Sequence, residues 1–225
     1  MTNQPPNHNL GIPPLNIPTI LRQADIRPSK GLGQNFLSDP QILEKIVRSA
    51  EVSSDDQVLE IGPGLGSLTR HLACQAKAVT AVEIDKKLFP ILTDIIKPFQ
   101  NVRLVEGDIL AIDPADLMEA SGYIVAANIP YNITSAIIRH LLESPRKPAR
   151  IILTIQQEVA SRICAQPGDM SLLALSVQVF GKPKIEFRIP AGAFYPPPKV
   201  DSAVIRIDLY DKPIIPVDML DKFFQ

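Results

Sequence analysis

Short apolar runs alternate with amphipathic segments along most of the chain. The runs have the length and the β-branched content of buried strands, whereas the segments between them carry apolar residues at helical spacing. Ile42, Leu43, Ile46, Val47 and Ala50, for example, define one face of a helix that Ser38 or Asp39 caps, with Pro40 in its first turn. The predicted strands are Val58–Ile61, Ala78–Val82, Val102–Glu106, Tyr123–Ala127, Arg150–Ile155, Lys184–Arg188 and Ala203–Leu209.

This alternation predicts one α/β domain over residues 25–212, with a largely parallel sheet covered by helices on both faces. Residues 1–24 contain five prolines among polar residues and show no periodicity, so we predict a disordered N-terminal tail. Residues 213–225 have the pattern of a helix just begun. We therefore expect them to start a C-terminal helical domain that is truncated or missing here.

Composition excludes several classes of protein. Hydrophobic residues make up 45% and charged residues 21% of the chain, and no apolar run is long enough to cross a membrane. The two cysteines are far apart, the three histidines show no metal spacing, and the N-terminal residues lack the pattern of a signal peptide. We therefore expect a cytoplasmic protein without a metal. A net charge of −1 means that nucleic acid would have to be held by local patches and shape.

The tetrapeptide Asn128-Ile-Pro-Tyr131 follows one of the predicted strands directly and precedes a predicted helix. Ligands of open α/β sheets bind at this edge, where the strands deliver their last residues. An asparagine, a rigid proline and an aromatic ring there suit a planar ring that bears an amino group. Adenine is the obvious candidate.

The loop Gly62-Pro-Gly-Leu-Gly66 joins the first strand of the domain to its helix, and Glu83 ends the next strand. An acidic side chain at that position can accept hydrogen bonds from the ribose hydroxyls of an adenosine cofactor. A dinucleotide is the competing ligand, but the third glycine of its fingerprint is displaced, and Pro63 lacks an N–H for a pyrophosphate. The pattern favours a binding site for S-adenosylmethionine over a strand-to-helix turn that binds no ligand.

Two aspartates follow the second and third of these strands. Asp108 ends the third strand and is placed to accept from the exocyclic amine of adenine, although a turn cap is about as probable. Asp85 begins a segment with helical spacing, so we interpret it as a helix cap and not as a ligand.

The chemistry that this pattern favours needs no strong base. The Asn128 side-chain oxygen and the carbonyl of Ile129 or Pro130 can accept the two protons of an adenine N6 amine, while Tyr131 stacks on the ring. Phe194, before the rigid Pro196-Pro-Pro198, can form the opposite wall around a base that has left its stack. Core packing is a nearly equal alternative for Phe194.

These motifs together resemble the ribosomal RNA adenine dimethyltransferases of the KsgA family, from about Lys30 to Leu209. The resemblance rests on Gly33-Gln-Asn-Phe-Leu37, Glu60-Ile-Gly-Pro-Gly64, Val82-Glu-Ile-Asp85, Gly107-Asp108, Asn128-Ile-Pro-Tyr131 and Phe194 through Val204. It implies a class I S-adenosylmethionine-dependent methyltransferase fold, Rossmann-like, with seven mostly parallel strands and an antiparallel last strand. It also implies cofactor contacts at Asn35, Leu37, Gly62, Glu83, Asp108 and Asn128.

The resemblance further implies a monomeric enzyme that transfers methyl groups to N6 of two adjacent adenosines near the 3′ end of small-subunit (16S) rRNA. The small ribosomal subunit would be its partner during ribosome biogenesis. Two alternatives stay open at this point. One is a large-subunit rRNA methyltransferase of the macrolide-resistance type, and the other is a non-catalytic assembly or transcription factor with the same fold.

Overall fold

The structure is a computed structural model that describes residues 11–130 and 133–215. Its main sheet has seven strands in the order β4-β3-β2-β5-β6-β9-β7. All neighbouring pairs from β4 to β6 are parallel, whereas β9 is antiparallel to both β6 and β7. The predicted seven-stranded, mostly parallel sheet with an antiparallel last strand is confirmed. The strands are β2 (Gln57–Ile61), β3 (Ala78–Glu83), β4 (Val102–Glu106), β5 (Ile124–Asn128), β6 (Arg150–Gln156), β7 (Gly181–Ile189) and β9 (Ser202–Leu209).

Helices cover both faces of the sheet, as the alternating pattern predicts. One buried cluster joins α2 and α3 to one face, and a second joins α6, α7 and α8 to the other. The helices are α1 (Ile17–Gln23), α2 (Pro40–Ala50), α3 (Ser67–Ala73), α4 (Phe89–Ile96), α5 (Pro114–Leu117), α6 (Thr134–Glu143), α7 (Gln157–Ile163) and α8 (Leu172–Gln178). Asp39 caps α2, since its carboxylate accepts from the N–H groups of Gln41 and Ile42. None of the helices in the described part of the chain has the length and apolarity to cross a membrane.

The prediction of a disordered tail over residues 1–24 is wrong for α1. Ile17 and Leu21 of this helix are 1% and 2% exposed, because they pack against Phe36, Leu65 and Leu88. The prolines mislead because Pro18 lies in the first turn of the helix, where its missing N–H costs nothing. Residues 1–10 lie outside the described part of the chain, as do residues 216–225 of the expected C-terminal domain.

A second, two-stranded sheet was not predicted from the sequence. Its strands β1 (Phe36–Leu37) and β8 (Phe194–Tyr195) are antiparallel and pair Leu37 with Phe194. Two residues per strand carry no periodic signal, and the pairing joins segments that are distant in the chain. The consequence is that the Asn35–Leu37 segment and the proline-rich loop meet beside the main sheet.

Candidate functional site

The strand order reverses direction between β2 and β5, which opens a crevice at the carboxyl edge of the sheet. Ile61 of β2 pairs with Ala127 of β5, so Gly62 and Asn128 leave the sheet side by side. A cavity that is open to solvent occupies this position. Of the residues predicted from the sequence, its lining includes Asn35, Leu37, Gly62, Glu83, Asp108, Asn128 and Pro130.

The glycine loop approaches the cavity with its backbone. Gly62, Gly64 and Gly66 all have positive φ, between 60° and 79°, a region that favours glycine. A Cβ on Gly64 would lie 3.0 Å from the Phe36 ring, so a side chain would be both strained and crowded there. The loop therefore needs these glycines for its path, and only at Gly62 is the nearest atom as far as 4.0 Å from the position of a Cβ.

Glu83 ends β3 as a buried carboxylate, only 4% exposed, held by two backbone donors. Its Oε2 accepts from the Gly64 N–H at 2.9 Å, and its Oε1 accepts from the Asp85 N–H at 2.8 Å. Burial raises the pKa of Glu83, and these two hydrogen bonds oppose that rise. Each oxygen keeps a second lone pair, so the group can still accept from a ligand's hydroxyls.

The two aspartates differ in their surroundings. Asp108 is exposed at the cavity edge, and its Oδ1 accepts from the Leu110 N–H at 2.9 Å, which leaves Oδ2 toward solvent. Asp85 accepts from the Lys87 N–H and from Gln34 Nε2, at 3.0 and 2.7 Å. The helix predicted from Asp85 begins only at Phe89, because Pro90 fits in the first turn and Asp85 instead caps the turn before it.

Asn128 is half-buried, and the orientation of its side-chain amide is fixed by one contact. Its Nδ2 donates to the backbone carbonyl of Asn35 at 3.0 Å. Because a carbonyl can only accept, this contact selects Nδ2 and leaves Oδ1 as the atom that can receive a proton donor from a ligand. The Pro130 carbonyl already accepts from the Ile133 N–H at 3.3 Å.

Sequence reasoning gave no role to Glu60, which also lines the cavity. Its carboxyl is 1% exposed, and Oε2 has no hydrogen-bond partner within the described residues. Burial raises its pKa to about 8, and the neighbouring charge of Glu83 adds to the effect. The signal was present in the sequence, since Glu60 is a single charged residue in an otherwise apolar strand.

Phe194 stands apart from the cavity residues. Phe194 is 4% exposed, packs in the cluster that contains Leu37 and Leu43, and does not belong to the cavity lining. Tyr131 lies outside the described residues. A role for either ring in holding a base therefore stays a prediction.

Three basic residues at the amino edge of the sheet, opposite the site, are engaged within the protein. Arg146 donates to the carbonyls of Ala115 and Met118, and Lys147 to that of Leu142. Arg150 pairs with Glu51 and Asp208. These cations fix loops and strand ends, so they are poor choices for contacts to phosphate.

The residues around the cavity fit an adenosine cofactor that carries a positive charge. A Cβ on Gly62 would have only the Asn128 carbonyl oxygen nearby, at 4.0 Å, and Glu83 offers acceptors for hydroxyls. The acidic residues of the lining, Glu60, Glu83 and Asp108, suit a cation. Within residues 11–130 and 133–215, no group of three potential metal ligands comes together.

Comparisons with known proteins identify similar families and relatives. The family model described as ribosomal RNA adenine dimethylase matches residues 27–225. Ribosomal RNA small subunit methyltransferase A of Dehalococcoides mccartyi is 43% identical over 198 residues, which cover 84% of this chain and 68% of the relative.

Two solved structures share the fold at appreciable identity. The 23S rRNA methyltransferase ErmE has a TM-score of 0.74 at 32% identity, covering 84% of this chain and 76% of that one. A dimethyladenosine transferase from Plasmodium falciparum has a TM-score of 0.71 at 31% identity, covering 78% and 64%. Both matches confirm the methyltransferase fold that the motifs predict.

Proposed function

Since the chain belongs to the ribosomal RNA adenine dimethylase family, we propose that it transfers methyl groups from S-adenosylmethionine to N6 of two adjacent adenosines near the 3′ end of small-subunit rRNA. The observation that carries this proposal is the Asn128 amide. It lies at the crevice of the sheet with its Oδ1 left available by the contact to Asn35. An acceptor in that place suits an exocyclic amine.

The cofactor is proposed to lie along the carboxyl ends of β2, β3 and β4. Glu83 would accept from its ribose hydroxyls, and Asp108 would accept from its adenine amine through the oxygen that Leu110 does not use. Asn35, Leu37 and Gly62 complete the lining on the side of the glycine loop. When bound, S-adenosylmethionine supplies an electrophilic methyl group next to a positively charged sulfur.

Asn128 acts on the target nitrogen. Its Oδ1 accepts one N6 proton, and the carbonyl of Ile129 or Pro130 accepts the other, which draws the nitrogen lone pair out of conjugation with the ring. N6 would then form its bond to the methyl carbon while the bond between that carbon and the sulfur breaks, so that the cofactor leaves as a neutral thioether and N6 loses a proton to solvent. The protein contributes position and orientation in this step and needs no strong base.

Two rings are proposed to hold the flipped base. Tyr131 follows Pro130 directly and would stack on one face, a contact worth about 1–3 kcal/mol in comparable sites. Phe194 lies beside Leu37 of the cavity lining and would have to turn out of its cluster to reach the other face. The proposed setting is a monomer that acts on the small ribosomal subunit in the cytoplasm.

The test is methylation of separated, unmethylated ribosomal subunits with labelled S-adenosylmethionine. We expect label in the small subunit, because the relative from Dehalococcoides mccartyi is named as a small-subunit enzyme. Label confined to the large subunit would instead favour the activity for which ErmE is named. A folded chain that binds S-adenosylmethionine but labels neither subunit would contradict the proposal.

A further inference from the structure

A second groove lies next to the candidate site. It is lined by Gln156, Gln157, Glu158, Lys199, Val200 and Asp201, where the end of β6 meets the loop before β9. Glu158, Lys199, Val200 and Asp201 are exposed, and the two glutamines are half-buried. None of these residues belongs to the lining of the cofactor cavity.

The sheet register places this groove beside Asn128. Asn128 pairs with Thr154 of β6, and Gln156 follows two residues later on the same strand. Side chains alternate along a strand, so Ile152, Thr154 and Gln156 share one face of the sheet. Ile152 belongs to the same buried cluster as Ala126, which shares its face with Asn128. Standard strand spacings put the Cα atoms of Asn128 and Gln156 about 8 Å apart.

The two glutamine amides are not used by the protein. Gln156 occupies the cap position of α7 without making a side-chain cap hydrogen bond, unlike Asp39 and Ser171 at their helices. The Gln157 N–H is instead satisfied by the carbonyl of Asp201, at 3.1 Å. Within the described part of the chain, neither glutamine amide has a hydrogen-bond partner, so each offers a donor and an acceptor to a ligand.

The charges of the groove decide what kind of ligand fits it. Glu158 and Asp201 are acidic and Lys199 is the single cation, so the groove does not attract a phosphate backbone. Base edges are different, because glutamine amides pair with adenine and carboxylates accept from base amino groups. Val200, 47% exposed, adds an apolar surface. The Asp201 Oδ1 accepts from the Ala191 N–H at 2.9 Å, which fixes this wall of the groove.

We infer that this groove binds the base that neighbours the target adenosine, with Gln156 and Gln157 reading its polar edge. The inference rests on the proposed function, since that function places the target base at Asn128. An RNA strand that enters the site between Asn128 and Gln156 then has its target base at Asn128 and the neighbouring base in the groove. The groove gives the enzyme a preference for adenosine next to the target.

The test uses short single-stranded RNAs that contain one target adenosine, with its 5′ and 3′ neighbours varied in turn. Each neighbour is adenosine, purine riboside (which lacks the N6 amine) or an abasic residue. Affinity for the 225-residue chain is measured by fluorescence anisotropy, and methyl transfer is measured on the same RNAs. The variants are the double substitution Gln156→Ala with Gln157→Ala, and the control Gln75→Ala. Gln75 is also half-buried but lies before β3, at the opposite edge of the sheet.

We expect the wild-type chain to bind RNA with an adenosine neighbour about tenfold more tightly than RNA with purine riboside or an abasic residue on one side. The double variant should lose this difference while its affinity for S-adenosylmethionine, measured by calorimetry, stays unchanged, and Gln75→Ala should keep both. Equal affinities in the wild type, or a difference that survives in the double variant, would overturn the inference. Absence of methyl transfer to every RNA counts against the proposed function alone, because base preference is measured by binding.

Discussion

The two edges of the main sheet differ in whether their polar and charged side chains are paired within the protein. At the amino edge, Arg150 and Arg206 form ion pairs with Glu51 and Asp208 at 2.6–3.0 Å. The same arginines donate to the carbonyls of Ala50 and Ser49, at the end of α2. At the carboxyl edge, Glu60 has an oxygen without a partner, and Asn128 has its Oδ1 left available.

This difference separates groups that hold the fold from groups that await a ligand. Pairing stabilises the charged form at the amino edge, where the hydrogen bond from Arg206 lowers the pKa of Glu51. Burial does the opposite at the carboxyl edge, where the loss of solvent around Glu60 raises its pKa to about 8. Substitutions at the two edges should therefore affect different properties of the protein.

The largest expected effect is that of Asn128→Ala. The substitution removes the acceptor that draws on N6, so we expect the rate of methyl transfer to fall by about 100-fold or more. Single-turnover transfer to unmethylated small subunits, at saturating cofactor, measures it. Thermal unfolding of the variant serves as the control for folding. A rate within a few-fold of the wild type would show that Asn128 does not act on the target amine.

Glu83→Ala should weaken the binding of S-adenosylmethionine by about 10- to 100-fold, because it removes hydrogen bonds to a charged acceptor. Glu83→Gln keeps one acceptor oxygen, so we expect an intermediate affinity. Calorimetric titration of all three proteins measures the effect. Dissociation constants that match across the series would exclude contact between Glu83 and the cofactor.

The pH dependence of stability tests the difference between the two edges at Glu60. Its pKa is higher in the folded chain than in the unfolded chain, so the folded state holds the extra proton between about pH 4.5 and pH 8. Stability that depends on this proton is lost as pH rises through that window, by at most about 1.4 kcal/mol per pH unit. Urea unfolding across this range should show that the free energy of unfolding of Glu60→Gln increases relative to that of the wild type as the pH rises. A constant difference would contradict the assignment.

The smallest effect is expected at the amino edge. Arg206→Met should lower the free energy of unfolding by about 1 kcal/mol, because its partners are partly exposed. It should leave the affinity for S-adenosylmethionine unchanged. Lys184→Met is the matched control, since Lys184 is 68% exposed and, among the described residues, pairs only with Glu186. A loss of cofactor affinity in Arg206→Met would remove the distinction between the two edges.

Much of the fold follows from the sequence because its strands are buried on both faces and therefore read as apolar runs, as Tyr123–Ala127 does. Pattern reasoning fails where structure depends on distant partners. The pairing of Leu37 with Phe194 is one case, and the burial of α1 against Leu65 and Leu88 is another. Neither leaves a local signal.

At the site too, some residues have a local sequence signal, whereas some contacts depend on distant parts of the chain. Gly62, Glu83 and Asn128 end or directly follow a strand and Asp108 lies two residues beyond one, so the sequence alone predicts that they meet at one cavity. The contact between Asn128 and the Asn35 carbonyl depends on a backbone atom far away in the chain, which no residue pattern encodes. The grouping of Gln156 and Gln157 with Asp201 likewise needs the antiparallel pairing of β6 with β9.

The most direct test of the proposed methyl transfer is to quantify N6,N6-dimethyladenosine in small-subunit rRNA after incubation with this chain and S-adenosylmethionine. Nucleoside mass spectrometry reads the product. We predict that dimethyladenosine forms with the wild type and with Arg206→Met, and is almost absent with Asn128→Ala. Equal amounts of product from the wild type and Asn128→Ala, or none from a wild type that binds the cofactor, would contradict it.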